Sequence, residues 1–221
     1  MNDTKLMWQE RVSTSEFIAS VWTSHVLVAM ARTVLADPCI SIAIIKDGHG
    51  VKVVLKGPTT APYHERFPSG YTCTTIRLQP GVVLRNFPAE KFIDHTLVLS
   101  NDAEIKDWLG DSSLRLLSFD TAELFVEQLH KSGRISYQAP TDRALSIRSY
   151  SRLIKRTTGL SPYRLRQLQR AHQALTLLKQ GMSAAAVAAE LDFVDESHLT
   201  RVVKQFLGHT PKQLLYLPQT P

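Results

Sequence analysis

Two hydrophobic periodicities divide the chain near residue 100. From about Ser20 to Leu99, short runs rich in β-branched and aromatic residues predict strands. These runs are Cys39–Ile45, Gly50–Leu55, Tyr71–Leu78 and Thr96–Leu99. Between the first two lies Asp47-Gly48, a strong hairpin signal because glycine accepts the positive φ of a tight turn. The prolines and glycines of residues 57–70 predict a long loop, and Pro88–Ile93 a short helical turn.

After Asp102 the apolar residues recur with a period of about 3.6, which predicts helices. Asp120 followed by Glu123 fits a capping box opening a helix that ends near Ser132-Gly133. Five further helices are predicted, each opened by a side chain able to accept a backbone hydrogen bond. Those residues are Ser146, Ser161, Ser183, Asp195 and Thr210, and the helices they open reach Thr158, Gln180, Leu191, Leu207 and a final short turn.

Charge follows the same division. The 221 residues carry a formal net charge of +6. Residues 131–221 hold 14 Lys and Arg against 5 Asp and Glu, a balance of +9, whereas residues 1–130 have a balance of −3. Eight basic residues and no acid lie between Arg143 and Arg170. Such a split indicates a polyanionic partner for the basic half, although a solvated basic surface explains the charge alone equally well.

Composition excludes several classes of protein. Two cysteines, Cys39 and Cys73, cannot form a disulfide framework or a four-cysteine zinc module, and we expect two buried free thiols rather than a redox pair. No apolar run is long enough for a membrane span, and no signal peptide is visible. The chain lacks hydrolase, metalloprotease, P-loop and dinucleotide fingerprints, so we expect no enzyme, no cofactor and no metal.

The strongest motif is Ser183–Leu207, a short helix, a tight turn and a second helix with helix-turn-helix proportions. In the second helix the apolar residues Leu199, Val202, Val203 and Phe206 recur at core spacing. The opposite face then presents Ser197, His198, Arg201 and Gln205, side chains suited to base edges in a major groove. An ordinary helix corner with an inert polar face is the alternative interpretation.

Here the sequence resembles a known family. The run 191–211, with Phe193, Ser197, Arg201 and Thr210-Pro211, looks like the C-terminal signature of AraC/XylS-type transcriptional regulators. A second match upstream, Leu145–Pro162, resembles the first recognition helix of that family and its exit. The resemblance covers about residues 134–217. It implies two recognition helices, joined by one linker helix, that enter successive major-groove segments roughly 34 Å apart.

The first motif departs from the family pattern. Its leading helix is expected at about Ser136–Arg143, but Pro140 falls in the middle and Ala144 replaces a turn glycine. A proline inside a helix costs about 3 kcal/mol, so we expect that helix to be broken or displaced. The first recognition helix is therefore predicted to contact the DNA backbone, through Arg148, Arg152, Lys155 and Arg156, more than to read bases.

We therefore predict an α+β protein with a small β-rich N-terminal domain followed by an all-α tandem helix-turn-helix domain. The predicted divisions are residues 1–110 for a sensor or dimerisation domain, 111–133 for a connecting helix and 134–221 for the DNA-binding domain. The predicted DNA-contacting residues are Arg148, Ser151, Arg152, Lys155, Glu196, Ser197, His198 and Arg201.

The predicted function is sequence-specific transcriptional regulation at the nucleoid of a bacterial cytoplasm, with double-stranded DNA as the partner. RNA polymerase, a second copy of the chain and a small-molecule effector acting through the N-terminal domain are further candidates, and no membrane is expected. The alternative is a protein-interaction adaptor with a degenerate helix-turn-helix domain that binds DNA only non-specifically. The operator, the effector and the choice between activation and repression are left open by the sequence.

Overall fold

The N-terminal half is built on one antiparallel sheet. The computed structural model describes residues 5–48, 50–110, 118–138 and 146–216. Among these residues the sheet has six strands: β1 (Leu6–Val12), β2 (Ile18–Val26), β4 (Ser41–Asp47), β5 (Gly50–Lys56), β7 (Thr72–Leu78) and β9 (Thr96–Leu99). They lie in the order β1-β2-β7-β4-β5-β9. The predicted hairpin is confirmed, because β4 and β5 pair antiparallel with Asp47 opposite Gly50.

Among the described residues, two small ribbons and three helices complete this half. One ribbon pairs β3 (Met30–Val34) with β6 (Tyr63–Phe67), and the other pairs β8 (Val82–Leu84) with β10 (Ile135–Tyr137). The helices are α1 (Ala89–Phe92), α2 (Asp102–Leu109) and α3 (Ala122–Lys131). Strand β6 corrects the prediction of an unbroken loop over residues 57–70. Its sequence, Tyr-His-Glu-Arg-Phe, shows little apolar alternation, because its side chains are exposed or half-buried.

The main core of this half lies between the sheet and the helices. Ile42, Leu55 and Ile76 from the sheet are buried together with Phe125 and Leu129 of α3. A smaller cluster, Ala43, Val54 and Cys73, lies on the other side of the sheet, because neighbouring strand residues point to opposite faces. Cys39 and Cys73 are both buried free thiols, as predicted. Burial raises the pKa of each of these thiols, which opposes formation of the reactive thiolate.

The capping box predicted at Asp120 is wrong. Helix α3 begins one residue later, after Thr121, whose side chain forms no capping bond. Glu123 is held by the N-terminal strand instead, because Arg11 Nη2 donates to its Oε2 at 2.7 Å and Ser13 Oγ to its Oε1 at 2.7 Å. This ion pair holds the pKa of Glu123 at about 2. A long-range partner has thus replaced the local capping interaction.

The C-terminal half consists of short helices with the predicted caps. They are α4 (Ile147–Thr158), α5 (Pro162–Lys179), α6 (Ala184–Glu190), α7 (Glu196–Leu207) and α8 (Pro211–Leu214). All five predicted capping side chains accept a bond from the backbone N–H three residues on; those residues are Ser146, Ser161, Ser183, Asp195 and Thr210. Leu168, Leu199 and Val203 are fully buried in the core that these helices share.

The segment predicted to hold the leading helix of the first motif begins as a strand. Ile135, Ser136 and Tyr137 pair with Leu84, Val83 and Val82 respectively, and Ile135 is buried in the first core. Residues 136 and 137 are therefore strand rather than helix, which agrees with the expectation that the leading helix is broken or displaced. Pro140, Arg143 and Ala144 lie outside the described residues. Pairing with β8 ties residues 135–137 to the N-terminal half, which leaves them unavailable to a helix of the DNA-binding half.

The described residues form two large hydrophobic cores, one in each half of the chain, and the two halves are in contact. Helix α3 and strand β10 belong to the first core, and all helices from α4 onward to the second. Ala36 of the N-terminal half is the exception, since it is fully buried in the second core. Its N–H donates to the Phe206 carbonyl at 3.0 Å, and its carbonyl accepts from His172 Nε2 at 2.6 Å. The finer division at residues 110 and 133 stays a prediction.

Candidate nucleic-acid interface

Helix α4 presents a continuous basic face. Arg148, Arg152 and Lys155 recur at i, i+4 and i+7 and are all exposed, so they lie along one side of the helix. The opposite side packs into the second core through Ile154, Thr157 and Thr158. The two threonine hydroxyls donate to carbonyls of the preceding turn, so their burial leaves no hydroxyl unpaired.

The predicted contact residues of α4 are thus mostly on one surface. Arg156 extends the basic face by one more exposed guanidinium, whereas Ser151 is half-buried at its margin. No carboxylate lies on α4. Four cations on a single face make a strong electrostatic attraction for a phosphate backbone, and they offer few groups that distinguish one base from another.

Helix α7 presents a different exposed face. Ser197, Arg201 and Lys204 recur at i, i+4 and i+7 and are exposed, while Leu199 and Val203 are fully buried on the other side. This arrangement suits a major groove, because Arg201 can form a bidentate pair with guanine and the serine hydroxyl can donate or accept. Lys204 completes the stripe, although our predicted set omitted it; its spacing of seven from Ser197 is the signal that places it there.

Two other predicted residues of α7 lie at the edges of that face. Glu196 is exposed in the first helical turn, where its negative charge favours the positive end of the helix dipole. His198 is half-buried, and its Nδ1 accepts a bond from the N–H of Val194 at 3.4 Å. The ring of His198 also meets the edge of Phe193, with centroids 5.4 Å apart. One ring nitrogen and one side of His198 are therefore occupied inside the protein.

The turn between α6 and α7 is fixed from the linker helix α5. Arg170 of α5 lies over the Phe193 ring, 3.9 Å from guanidinium carbon to centroid. Its Nε and Nη2 both donate to the carbonyl of Leu191, at 3.0 and 2.7 Å. Sequence reasoning counted Arg170 among the basic residues of the surface. The structure places its guanidinium against the helix-turn-helix turn instead.

Helices α4 and α7 each end in a left-handed glycine that contacts the N-terminal half. Gly159 follows α4 with φ +71°, and a side chain there would lie 2.7 Å from the Ala89 carbonyl oxygen and 2.5 Å from Ile93. Gly208 follows α7 with φ +76°, and a side chain there would lie 3.1 Å from Pro62 and 3.3 Å from Thr33. The two contacts attach both helices, at their C-terminal ends, to the β-rich half.

The junction at Ala36 includes a titratable group. Burial lowers the pKa of His172, while its hydrogen bond to the Ala36 carbonyl and the charge of Asp37 oppose that shift. Arg77 adds to the lowering, and its Nη2 also donates to Asp37 Oδ1 at 2.9 Å. A neutral His172 therefore donates to the segment that also contacts the end of α7.

Residues 5–48, 50–110, 118–138 and 146–216 were searched for a metal-binding cluster and for a membrane-spanning helix. Within these ranges no three His, Cys, Asp or Glu side chains group in a way that could hold a metal ion. No helix in the same part of the chain is long and apolar enough to cross a membrane.

The family comparison agrees with this geometry. Residues 143–215 match the model of a helix-turn-helix domain family, a range that contains both exposed helix faces and the linker helix between them. The C-terminal part of the chain is thus a DNA-binding domain of the kind that AraC-type transcription regulators carry, and the resemblance stated from the motifs is confirmed. The match begins at residue 143, after Pro140.

Solved structures of similar layout belong to ToxT from Vibrio cholerae. One structure of ToxT is 11% identical and covers 95% of this chain and 98% of its own, with a TM-score of 0.43. A structure of wild-type ToxT with bound unsaturated fatty acid is 13% identical, covers 98% of this chain and 96% of its own, and has a TM-score of 0.41. No curated protein matches the chain in sequence.

Proposed function

We propose that this protein is a sequence-specific transcriptional regulator that inserts α4 and α7 into successive major-groove segments on one side of the DNA. The observation that carries the proposal is the pair of exposed polar faces, Arg148/Arg152/Lys155 on α4 and Ser197/Arg201/Lys204 on α7, on one helical core. Both lie within the matched helix-turn-helix domain. Binding to DNA would place the protein at the nucleoid.

In this proposal α4 and α7 have different roles. The basic face of α4 supplies attraction to phosphates, and Arg201 with Ser197 on α7 supplies most of the base discrimination. The linker helix α5 fixes their separation, because Leu168 and Leu165 bury it in the same core as both recognition helices. A single chain would then cover an asymmetric site of about two successive major-groove segments.

The proposal can be tested by selecting bound sites from random duplex DNA. The affinity for the selected site is then measured as a function of salt concentration. We expect two conserved blocks separated by about 10 base pairs, and a preference over random DNA of at least about a thousandfold. Steep salt dependence without any preferred sequence would favour the adaptor alternative and overturn the proposal. Control by an effector, contact with RNA polymerase and dimerisation stay predictions.

A further inference from the structure

Arg170 is the last of the eight basic residues between 143 and 170, and its surroundings differ from those of a phosphate-binding residue. Two of its nitrogens are directed at one carbonyl, that of Leu191, at 3.0 and 2.7 Å. Leu191 is the C-cap of α6, where the last carbonyls of a helix have no partner within the helix. Arg170 satisfies that oxygen and brings a positive charge to the negative end of α6.

The same guanidinium continues into an aromatic stack. Its central carbon lies over the Phe193 ring, 3.9 Å from the centroid, and the His198 ring meets Phe193 at 87°. Phe193 is itself buried and its N–H donates to the Ala188 carbonyl at 2.8 Å. The chain of contacts runs from α5, through the turn, to the third residue of α7.

We propose that Arg170 is a positioning residue that fixes the angle of α7 against the linker helix, and so determines which bases α7 reads, without touching DNA itself. This inference rests on the proposed function and deepens it. Since α5 also carries α4, the orientation that Arg170 holds is that of the second recognition helix relative to the first. His198 acts through the same stack, with Phe193 setting the position of its ring.

The arrangement depends on the shape of arginine as well as its charge. A guanidinium is a planar fork, so two of its N–H groups can converge on one carbonyl oxygen while the group also lies over an aromatic ring. A lysine ammonium keeps the positive charge but is a compact group that cannot do both at once. Arg170→Lys therefore separates positioning from electrostatic attraction. Arg166, exposed on the same helix, gives the matched control Arg166→Lys.

The experiment compares base preferences half-site by half-site. The site selected by the unaltered protein is assigned to its two helices by Arg201→Ala, which removes preference in the α7 half only. Each correct base pair there is expected to be worth about 5-fold to 100-fold in affinity. In Arg170→Lys we expect that preference to fall below about threefold, with the α4 half and the salt slope unchanged. Phe193→Leu, which keeps apolar volume but removes the ring, should give the same half-specific loss.

Three results would overturn the inference. Arg170→Lys and Phe193→Leu could keep full preference in the α7 half, which would remove the positioning role. An Arg170→Ala variant could lower the salt slope by about one with preferences intact, which is the behaviour of a phosphate contact. The variants could also lose preference equally in both halves together with a lower melting temperature, which is a general loss of stability. The Arg166→Lys control should match the unaltered protein throughout.

A measurement without DNA distinguishes failure of this inference from failure of the proposed function. The Nε–H of Arg170 should give an NMR signal that exchanges slowly with water, is shifted upfield by the Phe193 ring, and is lost in Phe193→Leu. If site selection finds no preferred sequence while this signal is present, both the proposed function and the claim about base reading are wrong. Only the contact between Arg170 and Phe193 is then supported. If a preferred site exists but the signal is absent, only the positioning role falls.

Discussion

Helices α4 and α7 share one core and one linker helix, α5, yet their exposed faces differ in charge. Helix α4 presents Arg148, Arg152, Lys155 and Arg156 without an acid, whereas α7 presents Arg201 and Lys204 beside Glu196. The turn that precedes α7 is buttressed by Arg170 and Phe193. The described part of the segment expected to hold the corresponding helix before α4 is strand β10, paired with β8.

In the proposed function, attraction to DNA and base reading place different demands on how firmly a helix is held. Phosphate contacts tolerate small displacements, because a Coulomb interaction falls slowly with distance. A bidentate pair with a base edge requires a helix held to within a fraction of an ångström. Helix α7, whose preceding turn is held by Arg170 and Phe193, is the one whose side chains suit base reading. The contrast between α4 and α7 can be tested by substitution and by a change of pH.

The glycines that end the two helices should respond unequally to alanine. Gly159→Ala adds the cost of a left-handed residue, about 1–2 kcal/mol, to a collision with the Ala89 backbone, so we expect a loss of about 3 kcal/mol in unfolding free energy. Gly208→Ala meets only Pro62 and Thr33 side chains at 3.1–3.3 Å, so we expect about 1–2 kcal/mol. Urea denaturation of both variants measures the difference. Equal losses would mean that the contact of α4 with α1 is no tighter than the contact of α7 with Pro62 and Thr33.

Removal of the Arg201 side chain should relax sequence preference. Arg201→Ala loses the group able to form a bidentate pair with guanine, so we expect about 1–3 kcal/mol of discrimination to disappear at one base pair. Affinity for random DNA should change much less. Competition binding with single-base variants of the selected site gives the measurement, and unchanged preference at every position would place base reading elsewhere.

Removal of a basic side chain from α4 should weaken binding to all DNA alike. For Arg152→Ala we expect lower affinity for specific and random sequences by a similar factor, and a salt slope reduced by about one. Lys131→Ala is a suitable control, because that ammonium pairs with Glu127 on α3, in the N-terminal half. A loss of preference at one base position only, with the slope unchanged, would show that α4 reads bases.

Mild acid should loosen the support of α7 and leave that of α4 intact. The pKa of His172 is lowered in the folded protein, so the stability it contributes is fully present above its unfolded value of about 6.5 and is lost as pH falls through the folded value. Hydrogen-exchange protection of the Ala36 N–H, bonded to Phe206, should therefore fall between pH 7.5 and 5.5. Protection of the Gly159 N–H, bonded to Lys155, is the internal reference. A His172→Gln variant should show no such pH dependence.

Local signals predicted the C-terminal half well. Ser146, Ser161, Ser183, Asp195 and Thr210 were all found as N-caps, because capping depends on residues within one turn of each other. The same locality explains why the exposed stripes of α4 and α7 follow from spacing alone. Here the helical period fixes which side chains share a face, whatever packs behind them.

The features that sequence missed depend on distant partners. Glu123 has a local capping pattern but accepts bonds from Arg11 and Ser13, more than 100 residues away. Arg170 appeared as one more surface cation, since its distance to Leu191 depends on how α5 packs against α6. Strand β10 was missed because its three residues become a strand only by pairing with β8. Sequence spacing carries no information on any of these contacts.

The Ala36 contact connects the N-terminal half to the last turn of α7, so a small movement there would change the position of the other end of α7. Ala36 bonds to Phe206 in the last turn of α7, while Ser197 lies nine residues earlier, about 14 Å along the helix axis at 1.5 Å per residue. A tilt of about 10° around that bond would displace the Ser197 end by roughly 2 Å, more than the tolerance of a hydrogen bond to a base edge. In the proposed mode of binding, a slight rotation of one peptide group far from any base would therefore decide whether the groove contact of α7 is matched or mismatched.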